Sequence, residues 1–406
     1  MQCRSCRSPQ TEVCLDLGLV PLADLLYPDP AAGQPEPLFP LRLLFCHNCT
    51  LVQLDEIDSP EDLYGAGYPY YSSSLIGWTA RARDHAAEII ASRGLGPDHL
   101  VIEAGSNDGY MLERFVEEGI QVLGIDPAPG PAQVARERGV PTEASRFDLA
   151  TARRLAGEGR QADVIIGNIL LNLLADLDDG AEATRVLLAP QGVAIYEVPW
   201  VVAMAQGNQY DMIFHQNLNY FSLTALERLF RRHDLYLNHV VEVSDVMGGS
   251  LRIELGHQPH PNPSVGRLLA YERGVGADTA AFYQAFGKRA NHASRALAGL
   301  VSDLKANRKR IVGYGAAGGM ATTLLSYGHI NGNALDYVVD TNSHKHGYYT
   351  PGSRLRIEPT TRLLEDQPDY VLLLAWNYAD EILADQATYR SRGGKFIIPV
   401  PHPEVV

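Results

Sequence analysis

Positive charge and cysteine are both scarce in this sequence. The chain of 406 residues carries 34 lysines and arginines against 48 aspartates and glutamates, which gives a net charge of −14. An acidic surface repels phosphate backbones, so we expect no nucleic-acid partner. Five cysteines in this length are too few for a disulfide framework.

Long apolar runs are also missing. No run reaches the roughly 18 residues needed to cross a bilayer. The first ten residues, MQCRSCRSPQ, lack the apolar stretch that is typical of a signal peptide. We therefore expect a cytoplasmic protein with no membrane partner. The chain is too long for a single hydrophobic core, which predicts two or three domains. Its sequence does not indicate an oligomeric state.

Four of the five cysteines form two pairs with the same spacing. The pairs are Cys3-x-x-Cys6 and Cys46-x-x-Cys49. Two thiolates three positions apart can point into one turn and occupy two corners of a tetrahedron, a geometry that suits Zn²⁺. Because protein would fill all four positions, we expect a structural zinc ion; the alternative is unpaired buried thiols. We expect Cys14 to be a small buried apolar residue and His47 not to be a ligand.

A glycine-rich turn follows a predicted buried strand at 100–102. Glycines at such a turn let the backbone approach a ligand closely. The next predicted strand, 121–125, ends in Asp126, whose carboxylate can accept hydrogen bonds from ribose hydroxyls. A third, 162–166, leads to Asn168. The predicted cofactor-binding residues are Glu103, Gly105, Ser106, Asn107, Asp108, Gly109, Asp126 and Asn168.

The alternation of predicted strands and helices indicates the fold class. It predicts an α/β protein with a doubly wound parallel sheet and a ligand at the carboxyl ends of the strands. The alternative is a Rossmann-like domain without a cofactor.

Several motifs occur in the same order as in a known family. They are the two cysteine pairs, Tyr68-Pro69-Tyr70-Tyr71-Ser72-Ser73, Glu103-Ala104-Gly105-Ser106-Asn107-Asp108-Gly109, Gly124-Ile125-Asp126-Pro127, Gly248-Gly249-Ser250-Leu251-Arg252, Gly313-Tyr314-Gly315-Ala316 and Ala375-Trp376-Asn377. On these motifs the chain resembles, over nearly its whole length, the zinc-containing sugar C-methyltransferases. The resemblance implies S-adenosylmethionine as cofactor and, as small-molecule acceptor, a deoxysugar carried on thymidine diphosphate.

The chain departs from this family at the positions that the resemblance implies to be catalytic. The family removes a proton from the carbon next to a sugar ketone, with residues of an N-x-L-x-H segment and a Y-x-E-H segment. The positions of its His, Tyr, Glu and His are here Asn172, Phe214, Gln216 and Asn217. Neither Asn nor Gln can take up a proton near neutral pH. Gly318-Gly319 stands where a lysine is usual, so a cation suited to a phosphate is missing.

Two interpretations of these replacements remain open. In one, another titratable side chain, His215 or Tyr70, accepts the proton. In the other, the acceptor is already nucleophilic, for example an amine, an activated enol or an enolic acid, and needs no strong base. We predict methyl transfer by in-line displacement to a deoxysugar or a related intermediate of natural-product or antibiotic biosynthesis. The alternatives are a non-methylating cyclisation, rearrangement or reduction, and a non-catalytic partner protein.

The carboxy-terminal part carries a second glycine turn. A strand followed by G-x-G-x-x-G at 310–318, with Asp340 after the next strand, is by itself typical of a nicotinamide-cofactor fingerprint. The resemblance implies instead a second Rossmann-like domain that helps to form the substrate pocket. The predicted division is a zinc-binding lobe (1–60), a Tyr-rich lid or linker (61–85), an S-adenosylmethionine-binding domain (86–255), a linker with a helical stretch from Val265 to about Lys309 (256–309), and a carboxy-terminal Rossmann-like domain (310–406).

Overall fold

The computed structural model describes residues 2–23, 25–31, 35–55, 70–74, 76–244, 248–316 and 318–406. The part of the predicted lid at 61–69, which includes Tyr68, lies outside these residues. Within them the strands form three sheets with helices packed around them, which confirms the predicted α/β fold. No helix in the described part of the chain is long and apolar enough to cross a membrane.

The amino-terminal lobe is a small antiparallel sheet. Its first strands are β1 (Thr11–Pro21), β2 (Leu38–Cys46) and β3 (Val52–Leu54). The fourth strand, Asn219–Tyr220, comes from the middle of the chain and pairs with β3 through Val52 opposite Tyr220 and Gln53 opposite Asn219. The lobe and the central domain therefore share one sheet.

The central domain is a seven-stranded sheet covered by helices. The strands of this region are β4 (Leu100–Ala104), β5 (Gln121–Ile125), β6 (Thr142–Glu143), β7 (Ala162–Asn168), β8 (Leu188–Pro199), the shared β9 (Asn219–Tyr220), β10 (Tyr236–Val243) and β11 (Ser250–Gly256). The helices are α1 (Ile76–Arg93), α2 (Leu112–Glu117), α3 (Pro129–Glu137), α4 (Leu149–Gly157), α5 (Leu177–Leu187), α6 (Val201–Gln206) and α7 (Leu223–Arg231). The order is β10-β11-β8-β7-β4-β5-β6, and β11 is antiparallel to both of its neighbours.

The order in which successive strands are added to the sheet changes direction at β4. Strands β5 and β6 lie on one side of it, and β7 and β8 lie on the other. The loops that leave β4 and β7 therefore diverge and open a crevice at the carboxyl ends of these strands. The turn at 105–109 leaves β4 and Asn168 ends β7, so the predicted cofactor residues meet at this crevice.

The predicted helical stretch from Val265 to about Lys309 is interrupted. It forms two helices, α8 (Pro263–Gly274) and α9 (Ala280–Ala306), separated by a turn in which Gly276 has a φ of +79°. Glycine adopts this left-handed conformation without steric cost. Helix α9 then crosses β1 closely, since a Cβ atom on Gly287 would lie 2.4 Å from the carbonyl oxygen of Cys14.

The carboxy-terminal domain is a six-stranded sheet in the order β14-β13-β12-β15-β16-β17. Its strands are β12 (Ile311–Tyr314), β13 (Val338–Asp340), β14 (Ile357–Pro359), β15 (Tyr370–Leu373), β16 (Lys395–Ile398) and β17 (Glu404–Val405), and its helices are α10 (Gly319–Tyr327), α11 (Arg362–Asp366), α12 (Ala379–Asp385) and α13 (Ala387–Ser391). All neighbours are parallel except β16 and β17. One apolar cluster contains buried residues of all three parts of the chain, so they pack against one another.

Candidate functional site

The four paired cysteines converge on one point. Their Sγ atoms all lie within 4.8 Å of one another, and the Cys3–Cys49 and Cys6–Cys46 separations are 3.5 and 3.6 Å. Sulfur atoms at the corners of a tetrahedron, each about 2.3 Å from Zn²⁺, would lie about 3.8 Å apart. The residues therefore fit one zinc ion with four thiolate ligands and no position left for a substrate.

Two matching turns build this cluster. The residues that follow the pairs, Arg7 and Thr50, have φ values of +56° and +64°, and each donates its N–H to the carbonyl of the first cysteine of its pair. His47 faces elsewhere, with its Nε2 2.9 Å from Glu12 Oε2. Cys14 is buried away from the cluster, and burial raises the pKa of its thiol to about 12. It remains a neutral, apolar group, as the sequence predicts.

The turn after β4 is built on left-handed residues. Gly105, Asn107 and Gly109 have φ values of +75°, +48° and +77°. Asp126, at the end of β5, fixes the turn because its Oδ2 accepts the Asn107 N–H at 2.8 Å and its Oδ1 accepts the Ala128 N–H at 2.9 Å. A carboxylate has about four acceptor positions, so both oxygens can still accept hydrogen bonds from ribose hydroxyls.

Two side chains of this turn hold the end of the Tyr-rich segment. Asn107 Oδ1 accepts the Ser72 N–H at 2.8 Å, and its Nδ2 donates to the Tyr70 carbonyl at 3.2 Å. The buried Asp108 accepts a hydrogen bond from the Ser73 hydroxyl at 2.5 Å. Residues 70–73 are thereby fastened beside the crevice, and the cofactor-binding roles of Asn107 and Asp108 stay predictions.

A buried carboxyl group lies on the floor of the crevice. Glu103 is fully buried, and its Oε1 is 3.4 Å from Asn168 Nδ2, but its Oε2 has no hydrogen bond to any described residue. Burial raises the pKa of Glu103 well above its usual range, and the nearby Asp126 and Asp108 raise it further. The hydroxyl of Ser106 also lacks a partner within the described residues. These groups fit a nucleoside that carries positive charge.

Two asparagines meet where the resemblance places the family's histidines. Asn172 Nδ2 donates to Asn217 Oδ1 at 2.6 Å, and both side chains are buried. Asn172 Oδ1 has no hydrogen bond in the described part of the chain. The two amides line a pocket together with Trp200, Met212 and Tyr220 and further residues of the same region. This pocket offers hydrogen bonds to a neutral group and no charge.

Phe214 faces the carboxy-terminal domain. A Cβ atom on Gly319, the first residue of α10, would lie 2.3 Å from Cγ of the Phe214 ring. The ring therefore fills the space that any side chain at position 319 would enter. Thr323, one turn later in α10, donates its hydroxyl to the Ile213 carbonyl at 2.7 Å and holds the two segments together.

The other predicted catalytic candidates lie apart from the asparagine pair. His215 Nε2 is 3.2 Å from the Pro40 carbonyl, and burial lowers the pKa of this histidine. Gln216 Nε2 donates to the Ala23 carbonyl at 3.4 Å. Both side chains thus contact the amino-terminal lobe. Tyr70 lies beside the crevice and is 41% exposed. Catalytic roles for His215 and Tyr70 stay predictions.

Sequence reasoning missed two groups of polar residues near the site. The buried Glu197, at the end of β8, pairs with Arg81 and Arg252. The buried Asp211 accepts a hydrogen bond from Trp376 Nε1 at 2.5 Å. Burial raises the pKa of Asp211 to about 7. A carboxylate at the end of a parallel strand is typical of a ligand site, so the sequence could have indicated Glu197. The contact between Asp211 and Trp376 joins two domains and has no such local signal.

Comparisons with known proteins cover the whole chain. Family models match a zinc binding domain (residues 3–64), a methyltransferase domain (79–240) and a C-methyltransferase C-terminal domain (245–401). The C-methyltransferase NovU of Streptomyces niveus is 34% identical over 413 aligned residues, which cover 100% of this chain and 96% of that protein. A ubiquinone biosynthesis O-methyltransferase of Bartonella bacilliformis is 30% identical over 94 residues, 23% of this chain and 38% of its own.

A solved structure gives a weaker match. Magnesium protoporphyrin IX methyltransferase of Synechocystis PCC 6803 with bound SAH aligns at 14% identity and a TM-score of 0.37, over 45% of this chain and 84% of that one. The fold and the crevice define an S-adenosylmethionine-dependent methyltransferase with a structural zinc site. The chain belongs to the C-methyltransferase family, as the resemblance implies, and neither alternative function is favoured.

Proposed function

We propose that this protein methylates a carbon atom of a deoxysugar or related natural-product intermediate that arrives already nucleophilic. The observation that carries the proposal is the buried hydrogen bond between Asn172 and Asn217, at the positions of the family's histidines. The name of the full-length relative NovU supports carbon as the methylated atom.

The crevice at β4 and β7 holds the cofactor in this proposal. The Gly105–Gly109 turn lets the nucleoside approach the backbone, and Asp126 accepts hydrogen bonds from its ribose hydroxyls. Glu103, whose Oε2 atom has no hydrogen bond to the described residues, would be available to a donor group of the bound cofactor. When bound, S-adenosylmethionine supplies a methyl group on a sulfonium, a good electrophile that needs no further activation.

The asparagine pair sets the class of acceptor. An amide can donate and accept hydrogen bonds but cannot take up a proton near neutral pH. Asn172 and Asn217 can therefore orient an enol or enolate oxygen, but they cannot remove a proton from the carbon next to an ordinary ketone. An activated enol or an enolic acid satisfies this requirement. If a proton must leave, Tyr70 is better placed than His215, because its backbone is fastened beside the crevice.

Phe214 and Gly319 support a second feature of the acceptor. The resemblance implies a lysine at Gly318-Gly319, which would place a cation for a diphosphate at the start of α10, and neither residue present supplies one. The Phe214 ring leaves no space for a side chain at position 319. We infer that the acceptor depends little on a nucleotide diphosphate for its binding.

The test uses S-adenosylmethionine with a ¹³C-labelled methyl group and two keto-deoxysugars, one with an ordinary ketone and one with a β-dicarbonyl group that forms a stable enol. We expect ¹³C in a C–CH₃ group, and a kcat/KM about 100-fold higher for the stable enol, because a missing general base is worth at least that factor. Equal turnover of both sugars would contradict the proposal, and so would a methyl ether product.

A further inference from the structure

A third asparagine, Asn219, lines the same pocket as Asn172 and Asn217. It lies on β9, the strand shared with the amino-terminal lobe, and the residue is 1% exposed. Its Nδ2 atom donates to the carbonyls of Leu171 and Leu174, at 3.3 and 2.7 Å. These carbonyls lie on either side of Asn172 in the chain, so Asn219 also holds the turn that carries Asn172.

The two carbonyls fix the orientation of the Asn219 amide. A carbonyl oxygen only accepts hydrogen bonds, so the NH₂ end of the amide must face Leu171 and Leu174. The remaining end, Oδ1, is buried and has no hydrogen bond to any described residue. A buried acceptor without a donor costs free energy, and a ligand that supplies the donor removes this cost.

The other polar groups of the pocket make it rich in acceptors. Asn172 Oδ1 also lacks a hydrogen bond within the described residues. Trp200 Nε1 donates to Glu272 Oε1 at 2.8 Å. The Tyr220 hydroxyl donates to the Met212 carbonyl at 3.3 Å. The aromatic donors of the pocket are therefore already used, and two amide oxygens are left for donors that a ligand brings.

A neutral hydroxyl group suits these oxygens better than an ammonium group. The residues described around the pocket include no charged side chain. A cation that is buried without a counter-charge loses its hydration and is costly, whereas a hydroxyl needs only one acceptor to satisfy its O–H. The pocket therefore favours hydroxyl donors.

We propose that Asn219 determines acceptor specificity, with its Oδ1 atom accepting a hydrogen bond from a hydroxyl group of the acceptor. This hydroxyl is additional to the enol oxygen, which lies at Asn172 and Asn217. The inference rests on the proposed function and deepens it, because it restricts the acceptor to an enol sugar with a further free hydroxyl. The other occupant that satisfies Asn219 Oδ1 is an ordered water molecule.

The experiment measures sugar binding by calorimetry, with the full chain saturated with S-adenosylhomocysteine. The probes are the stable-enol sugar of the methylation test and analogues in which fluorine replaces each ring hydroxyl in turn. Fluorine is close to a hydroxyl in size but cannot donate. We expect one analogue to bind about 10- to 100-fold more weakly than the parent sugar, because Asn219 Oδ1 then stays unpaired. In Asn219→Ala the same replacement should change the affinity less than threefold.

Asn238→Ala is the matched control. Asn238 lies on β10, where its Nδ2 donates to the Gln258 carbonyl at 3.0 Å and its Oδ1 accepts the His260 N–H at 2.7 Å. This variant should keep the full loss on fluorination. If Asn219→Ala instead weakens the parent sugar and every analogue by the same factor, Asn219 only holds the turn at Leu171–Leu173 and the inference is overturned. A water molecule at Oδ1 predicts the same equal response.

Failure of the proposed function gives a different result. Absence of sugar binding, together with absence of a C-methyl product in the ¹³C experiment, would overturn both proposals. Normal C-methylation of the stable enol, with no fluorine position whose effect depends on Asn219, would overturn the hydroxyl site alone.

A crystal structure keeps the test independent of whether Asn219→Ala folds. The unmodified protein is crystallised with S-adenosylhomocysteine and the parent sugar. A sugar hydroxyl oxygen within about 3 Å of Asn219 Oδ1 supports the inference. A water molecule at that position, or a sugar bound with no hydroxyl there, overturns it.

Discussion

The aromatic ring of Phe214 lies directly against Gly319. The two residues belong to different domains. In the resemblance Phe214 stands at the position of a tyrosine, and Gly318-Gly319 stands where a lysine is usual. The ring occupies the space that a side chain at position 319 would need.

The contact predicts that Gly319→Ala destabilises the protein by about 1–3 kcal/mol, the usual cost of overpacking. The measurement is the free energy of unfolding in a chemical denaturant. Gly318→Ala is the control, because a Cβ atom there meets nothing within 4 Å and its φ is −71°. It should change stability by less than about 0.5 kcal/mol.

A double-mutant cycle completes this test. In a Phe214→Ala background the ring is absent, so Gly319→Ala should have only a small further effect. If Gly318→Ala and Gly319→Ala cost the same, or if Phe214→Ala leaves the cost of Gly319→Ala unchanged, the proposed contact does not control this interface.

The asparagine pair predicts the result of restoring a family residue. Asn217→His should not raise kcat on the natural acceptor, and should lower it, because the hydrogen bond to Asn172 is lost and no proton needs to be removed. Gln216→Glu is the companion variant, and since its side chain contacts the amino-terminal lobe at Ala23, it should not raise kcat either. A tenfold gain in either variant would show that the replacements are damage to a proton-abstracting site.

The cysteine cluster predicts one zinc ion per chain. Cys46→Ser should lose the metal and lower the free energy of unfolding by several kcal/mol, because metal binding and folding of the lobe are coupled. Cys14→Ser removes a thiol outside the cluster and should retain the full zinc content. Elemental analysis and thermal unfolding check both variants. Equal zinc content in the two would contradict the assignment of the ligands.

Asp211 predicts a dependence of stability on pH. Burial raises its pKa from 3.8 to about 7, so between these values the folded protein keeps a proton that the unfolded chain releases. The stability that this proton contributes is complete below about pH 4 and is lost as pH rises to 7, by up to about 4 kcal/mol. Asp211→Asn removes the titration and should flatten the curve of unfolding free energy between pH 4 and 7. Parallel curves for the two proteins would contradict the raised pKa.

Local patterns could be predicted from the sequence, and contacts between domains could not. The spacing of Cys3 and Cys6 and the glycine turn at 105–109 each lie within a few residues, so their geometry follows from the local sequence. The contact between Asn172 and Asn217 could be expected only through the resemblance, since 45 residues separate them.

The remaining contacts depend on how separate elements pack. Asp211 and Trp376 are 165 residues apart, and neither residue type indicates the other. The contact of Arg81 with Glu197 depends on the packing of α1 over the end of β8, which the sequence does not indicate. The break at Gly276 was also missed, because the alanine- and arginine-rich composition continues on both sides of it.

The pairing of β3 with the strand Asn219–Tyr220 has a consequence for engineering. The segment that contributes Asn217 and Tyr220 to the pocket of the asparagine pair is hydrogen-bonded at one end to the amino-terminal lobe. A chimera that exchanges either piece alone would therefore leave an unmatched edge of backbone. Grafting a new acceptor preference onto this scaffold therefore means transplanting the lobe and the 214–220 segment as one cassette.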